Sequence, residues 1–140
     1  FIKGADVRLF EEELQQYMGV KHVISCANGT DALYLAMMVL GLKPGDEIIT
    51  TDFTFIATVE AVALLGLKPV LADPDPGTFN ISVENIKKAI SPKTKAIVPV
   101  HLFGQCSDME CIMELARIHD LYVIEDAAQA TGADYIFRDG

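Results

Sequence analysis

The stretch Lys95-Ala96-Ile97-Val98-Pro99-Val100-His101, followed after one helix length by Leu121-Tyr122-Val123-Ile124-Glu125-Asp126, decides the fold class. Each run is nearly continuous in apolar residues instead of alternating, the mark of a strand covered on both faces. Strands of that kind lie in parallel sheets, whose neighbours must be joined by crossover helices, and Asp108 to His119 between the two runs has helical composition. Working outward, the same alternation recurs. Further strands are expected at His22 to Ala27, Glu47 to Thr51 and Lys68 to Ala72. Helices are expected at Ala32 to Leu40, closed by Gly41, at Thr54 to Leu65, ended by Gly66, and at Ser82 to Ala89, with Ser82 as cap. Near the start, Val7, Phe10, Leu14 and Tyr17 form an amphipathic stripe that stops at Gly19. The expectation is an α/β fold with a mostly parallel sheet between two helical layers.

Composition agrees with this and excludes other classes. The chain has 140 residues, 51% of them hydrophobic and 22% charged, too apolar for a disordered chain and too evenly broken by charge for a membrane protein. Its length suits no more than one compact domain. A net charge of -9 leaves no general positive field to gather nucleic acid or an anionic membrane, so a bound anion needs a local arrangement to hold it. The three cysteines, Cys26, Cys106 and Cys111, have no metal-ligand spacing and read as reduced thiols of a cytoplasmic protein, with no metal expected. No repeat, low-complexity tract or linker divides the chain. Phe1-Ile2-Lys3-Gly4 is neither a signal peptide nor a natural beginning, and Tyr135 to Gly140 ends without a capping element; both ends read as cut.

In parallel α/β sheets, functional groups gather beyond the carboxyl ends of the strands. At the first of these, Asn28-Gly29-Thr30 precedes a helix, where free backbone N–H groups and the helix dipole favour an anion; a plain capping turn has the same sequence. No nucleotide-binding glycine fingerprint is present. Asp126 ends the most apolar strand, and a carboxylate there calls for a partner with a proton to offer, unless it caps the next helix. Gln129 falls on the same side if a helical turn starts at Asp126. Phe55 can offer a flat face to a ring, and Phe53 and Phe55 can equally be core residues. His101 is placed to support Asp126 or to serve as a structural histidine. His22 and His119 invite no functional reading, and Glu11-Glu12-Glu13 reads as a solvated helix face.

Together these segments closely resemble the pyridoxal phosphate-dependent sugar aminotransferases of the DegT/DnrJ/EryC1/StrS type, whose large domain has the aspartate aminotransferase fold, fold type I. The similarity runs through Gly4-Ala5-Asp6-Val7 with Phe10-Glu11, Gly29-Thr30-Asp31-Ala32-Leu33, Thr54-Phe55-Ile56-Ala57-Thr58, Pro99-Val100-His101-Leu102-Phe103-Gly104-Gln105 and Ile124-Glu125-Asp126-Ala127-Ala128-Gln129. It covers essentially all of the chain.

The resemblance implies roles. Gly29 and Thr30 match the donors to the cofactor phosphate, and Phe55 matches the aromatic residue stacked on the pyridine ring. Asp126 matches the carboxylate that keeps the pyridine nitrogen protonated, and Gln129 the donor to the phenolic oxygen, which makes these two the catalytic residues expected within the chain. Asn28 departs from the serine common at its position. The Schiff-base lysine of the family falls beyond Gly140, and none of Lys3, Lys21, Lys43, Lys68, Lys87, Lys88, Lys93 or Lys95 matches its position. Residues 1–140 are thus expected to be part of the large cofactor-binding domain of a longer homodimeric protein and to be inactive alone. The family's sheet also places two later strands between the first strand and the fifth, which leaves His22 to Ala27 without its neighbour.

The implied reaction moves an amino group from a donor such as L-glutamate to a nucleotide-linked keto-sugar. The segments Phe55-Ile56-Ala57-Thr58 and Gly104-Gln105 look most like members acting on 3-keto sugars, with 4-keto sugars close behind. Two other readings stand beside it: a sugar dehydratase of the same family with histidine in place of the lysine, and a non-catalytic α/β module that binds a phosphorylated ligand.

Overall fold

The computed structural model describes residues 4–138, so the expectations for Phe1-Ile2-Lys3 and for Asp139-Gly140 lie outside the described residues. Nine elements follow in the order α1 (Ala5–Met18), α2 (Gly29–Met38), β1 (Glu47–Thr51), α3 (Ala57–Leu64), β2 (Lys68–Ala72), α4 (Val83–Ala89), β3 (Thr94–Val98), α5 (Met109–His119) and β4 (Tyr122–Val123), with a short 3-10 turn at Leu102–Gly104 before α5. The strands form one sheet in the order β2-β1-β3-β4, and every pairing is parallel.

Side-chain alternation along the central strands builds the two covered faces. Ile48, Ala96 and Val98 face a core with Leu33 and Met37 of α2 and Ala61 and Val62 of α3. Ile49 and Ile97 point the other way, onto Ile86 of α4 and Met109, Ile112 and Leu115 of α5. These are the three expected layers. Burial at the 109, 112, 115 and 116 positions gives α5 its inward stripe, and the Asp108 carboxylate caps its start by accepting from Cys111 N–H at 3.3 Å.

Three local expectations are corrected. His22 to Ala27 forms no strand: it is an irregular, mostly exposed segment with no strand beside it among the described residues, and a lone strand has no ladder to satisfy its backbone. Ser25 instead docks on α1, its N–H and hydroxyl both donating to Glu11 Oε1 at 2.9 and 2.7 Å, so Glu11 is a structural acceptor and not only a solvated surface charge. The third correction is the start of α3, which begins at Ala57 and leaves Thr54, Phe55 and Ile56 in the loop after β1. The helix α1 forms with Gly19 at φ 64° as its left-handed end, yet none of its residues is buried.

The chain passes from β1 outward to β2 and then back across to β3. The crevice between the carboxyl ends of β1 and β3 is therefore the point where the winding reverses, the place in such sheets where ligands bind.

Candidate functional site

That crevice holds a cavity of about 220 Å³ lined by Gly29, Thr30, Leu33, Thr54, Phe55, Ala57, Thr58, Val100, Asp126, Ala128 and Gln129. All five residues singled out in the sequence, Gly29, Thr30, Phe55, Asp126 and Gln129, meet there. They arrive from three places in the chain, the start of α2, the loop after β1 and the segment that follows β4, and Val100 joins them from the segment after β3.

One part of the wall is the first turn of α2. Asn28 caps it, its side-chain oxygen accepting from Asp31 N–H at 2.9 Å while its amide nitrogen donates to the Asp31 carboxylate at 3.2 Å. This exchange occupies the third N–H of the helix. The Gly29 and Thr30 N–H groups have no partner among the described residues, and a methyl group built on Gly29 would meet no atom within 4 Å. The result is two free donors with the positive end of a helix dipole behind them and open space in front.

Another part of the wall is Asp126, only 9% exposed. Its Oδ2 accepts the Thr58 hydroxyl at 2.7 Å, and Oδ1 takes only a longer contact from Ala128 N–H at 3.3 Å. No cation pairs with it among the described residues. Its backbone is fixed by the bridge to Val100, with Asp126 N–H donating to Pro99 and His101 N–H donating to Asp126. Thr58 is 1% exposed and was missed in the sequence as a polar partner, although it lies in the quoted segment 54–58. The missing signal was tertiary: Thr58 and Asp126 are 68 positions apart.

His101 does not support the Asp126 side chain. Because Val100 and Asp126 pair across the bridge, their side chains share one face of the sheet, and His101 and Glu125, one residue removed, share the other. His101 Nε2 lies 2.9 Å from Glu125 Oε2, and its Nδ1 accepts from Ser107 N–H at 3.1 Å. With Nδ1 an acceptor, Nε2 carries the hydrogen and donates. That hydrogen bond holds the Glu125 carboxyl below the ordinary glutamate range, against the opposing effect of partial burial.

Phe55 and Gln129 also line the cavity. Phe55 is 71% exposed and forms part of the cavity wall, so it is not a core residue; neither is Phe53, whose ring packs against Phe79 with centroids 5.7 Å apart. Gln129 Oε1 accepts from Phe103 N–H at 2.7 Å, which assigns the amide orientation and leaves its NH₂ group free as a donor. No lysine among the described residues lines the cavity; Lys68, Lys87 and Lys88 are engaged elsewhere, with Glu47, Glu84 and Asn85.

The cavity wall thus combines free N–H donors with a buried carboxylate that has no cation partner among the described residues. It suits a ligand that carries both an anionic group and a protonated ring nitrogen, and a phosphorylated pyridine carries both.

Comparison with known proteins agrees. The model of the DegT/DnrJ/EryC1/StrS aminotransferase family matches residues 1–138. The chain is 52% identical to the UDP-2-acetamido-2-deoxy-3-oxo-D-glucuronate aminotransferase of Pseudomonas aeruginosa over 135 residues, which are 96% of this chain and 38% of that protein. It is also 52% identical to the GDP-perosamine synthase of Caulobacter vibrioides, over 90% of this chain and 34% of that one. The crystal structure of NtdA from Bacillus subtilis with bound cofactor PMP superposes with a TM-score of 0.91 at 43% identity, covering 93% of this chain and 30% of that one. The chain therefore spans just over a third of the length of the curated relatives it matches. On this sequence and fold similarity, the chain belongs to the DegT/DnrJ/EryC1/StrS aminotransferase family, whose members are pyridoxal phosphate-dependent enzymes.

Proposed function

We propose that residues 1–140 form part of the large cofactor-binding domain of a longer protein, and that this protein transfers an amino group from an amino-acid donor, L-glutamate in the simplest case, to a nucleotide-linked keto-sugar. The observation that carries the reading is the buried Asp126 carboxylate, which lines the same cavity as the free N–H groups of α2 and has no cation partner among the described residues.

Each residue then has a task. Gly29 and Thr30 bind the phosphate through backbone N–H groups and the Thr30 hydroxyl, at the helix end where negative charge is favoured. Phe55 covers one face of the ring and excludes water from it. Asp126 holds a proton on the pyridine nitrogen, and Thr58 fixes the orientation of that carboxylate. Gln129 donates its amide N–H to the phenolic oxygen. When bound, pyridoxal phosphate supplies an electron sink for the charge left at the donor Cα. The amine that joins the cofactor carbonyl and moves the Cα proton must come from outside the described residues, since no lysine lines this cavity.

Relatives whose names carry a 3-oxo or 3-dehydro sugar are 51–52% identical to this chain, and the GDP-perosamine synthase is as close. Segments 55–58 and 104–105 favour the 3-keto class. A homodimer in the cytoplasm completes the proposal: exposed Phe55 and Ile56 at the cavity suit cover by a second subunit, and three unpaired thiols suit a reducing compartment. The test is titration of the purified full-length protein with pyridoxal phosphate. It should gain visible absorption and then form amino sugar and 2-oxoglutarate from L-glutamate and a nucleotide-linked 3-keto hexose. A protein that gains no absorption overturns the reading.

A further inference from the structure

The cavity is braced from outside by a turn that contributes none of its lining. Residues Asp75 to Asn80 close on themselves: the Asp75 carboxylate accepts from Gly77 and Thr78 N–H at 2.9 and 3.0 Å, Phe79 N–H donates to Asp75 O at 2.8 Å, and Asp75 N–H donates to Asn80 O at 2.8 Å. Phe79 sits at φ 62°, a left-handed conformation that non-glycine residues seldom adopt. The turn sends two side chains toward the site. One is the Phe79 ring, packed on Phe53 next to the cavity wall at Thr54 and Phe55. The other is Asn80.

The Asn80 side chain is 4% exposed, and its amide is spent on a single loop. Oδ1 accepts from Leu102 N–H at 3.2 Å, while Nδ2 donates to Gln105 O at 3.0 Å and to Cys106 O at 3.1 Å. It thus ties both ends of the segment 102–106. Inside that clamp Phe103 is held at φ 55° and Gly104 at φ 88°, and the Phe103 N–H is aimed at Gln129 Oε1, 2.7 Å away. Gly104 lies beside the same residue: a methyl group there would be in ordinary contact with Gln129 O, at 3.5 Å. An unclamped Phe103 would relax toward negative φ and turn its N–H away, leaving the Gln129 amide free to rotate.

We propose that Asn80 is a positioning residue for Gln129: by holding the 102–106 loop it keeps Phe103 N–H on Gln129 Oε1, and so keeps the Gln129 NH₂ presented to the phenolic oxygen of the cofactor. The inference rests on the reading of this cavity as a pyridoxal phosphate site.

The test is a double-mutant cycle in the full-length protein loaded with pyridoxal phosphate, read as the pH midpoint of its visible absorption. Loss of a donor to the phenolic oxygen makes the neighbouring carbonyl-derived nitrogen more basic, so Gln129→Leu should raise the midpoint by about one pH unit, the size of one hydrogen bond to a charged oxygen. Asn80→Ser should raise it by about half as much in wild-type background, and should change nothing in the Gln129→Leu background. Equal shifts of Asn80→Ser in both backgrounds would mean that Asn80 does not act through Gln129, and would overturn the proposal. If Asn80→Ser fails to reach the circular dichroism of the wild type, the near-isosteric Asn80→Asp, which retains the acceptor for Leu102 N–H, takes its place in the cycle. Loss of folded protein in both variants would assign Asn80 to folding alone and also overturn it. A shift with Gln129→Leu but none with the Asn80 variants sinks only this inference; a wild-type protein that takes up no cofactor sinks the reading beneath it.

Discussion

Thr58 and Asp126 share one short hydrogen bond, hydroxyl to Oδ2 at 2.7 Å, with both side chains buried and 68 positions of chain between them. The bond ties the first turn of α3 to the segment after β4 and closes one end of the cavity. Replacing Thr58 by valine keeps the shape and leaves the buried carboxylate one donor short, which costs about 1–3 kcal/mol. Urea unfolding of the full-length protein should show a loss of that size for Thr58→Val and a much smaller one for Thr58→Ser. Equal losses for the two variants would mean that packing, and not the hydroxyl, matters at this position.

Asp126 is expected to act through its charge. The neutral amide of Asp126→Asn keeps the size of the side chain but cannot hold a proton on the pyridine nitrogen, and turnover should fall at least about a hundredfold, equivalent to roughly 3 kcal/mol of barrier. Cofactor affinity should fall less, because the proposed phosphate donors, the N–H groups of Gly29 and Thr30, are untouched. Stopped-flow measurement of the half-reaction with the amino-acid donor separates the two effects. Turnover within a few-fold of wild type would remove Asp126 from its assigned role.

How far the sequence could be read depended on the range of the interaction. The parallel sheet was legible because its central strands are covered on both faces, β1 along its whole length and β3 everywhere but Lys95, and Ala96 to Val100 is an unbroken apolar run; the starts of α2, α4 and α5 were legible because Asn28, Ser82 and Asp108 act within one turn. Gly29, Thr30, Phe55, Asp126 and Gln129 could be singled out because strand ends converge by geometry. What could not be read were choices made across the sheet. For His101 the neighbouring strand ends left open support of Asp126 or a structural role, and side-chain parity decides for the second, on the opposite face with Glu125. His22 to Ala27 has the composition of a strand and no partner to pair with among the described residues. Thr58 and Asn80 are polar residues whose burial and partners only the tertiary fold reveals.

The pair His101–Glu125 gives the fold a defined response to acid. The hydrogen bond from His101 holds the Glu125 carboxyl below 4.5, with burial working against it, so near that pH the folded chain binds fewer protons here than the unfolded chain. The contribution is therefore complete above pH 4.5 and disappears as pH falls through the lowered folded value. His101→Phe removes the donor. The stability gap between wild type and this variant should be widest at neutral pH and should narrow below pH 4.5, as followed by urea unfolding across pH 3 to 7. A gap that widened toward acid would contradict the assigned direction.

Two adjacent positions at the start of α2 should respond in opposite ways. Asn28 caps the helix through Asp31 N–H, and Asn28→Ala should lower stability by about 1 kcal/mol. Gly29 has an ordinary helical backbone with no positive φ, and a methyl group there meets no protein atom within 4 Å. Alanine is also the better helix former, so Gly29→Ala should leave stability unchanged or raise it by less than about 1 kcal/mol. Gly29 and Thr30 both line the cavity, however, so a methyl group at position 29 is expected to take up space open to an anion at the two free N–H groups. Equilibrium dialysis of the full-length protein should show pyridoxal phosphate binding weakened about tenfold or more in Gly29→Ala, while its unfolding curve matches or exceeds that of wild type. If affinity were unchanged in a variant of normal stability, the phosphate would have to bind elsewhere than on the first turn of α2.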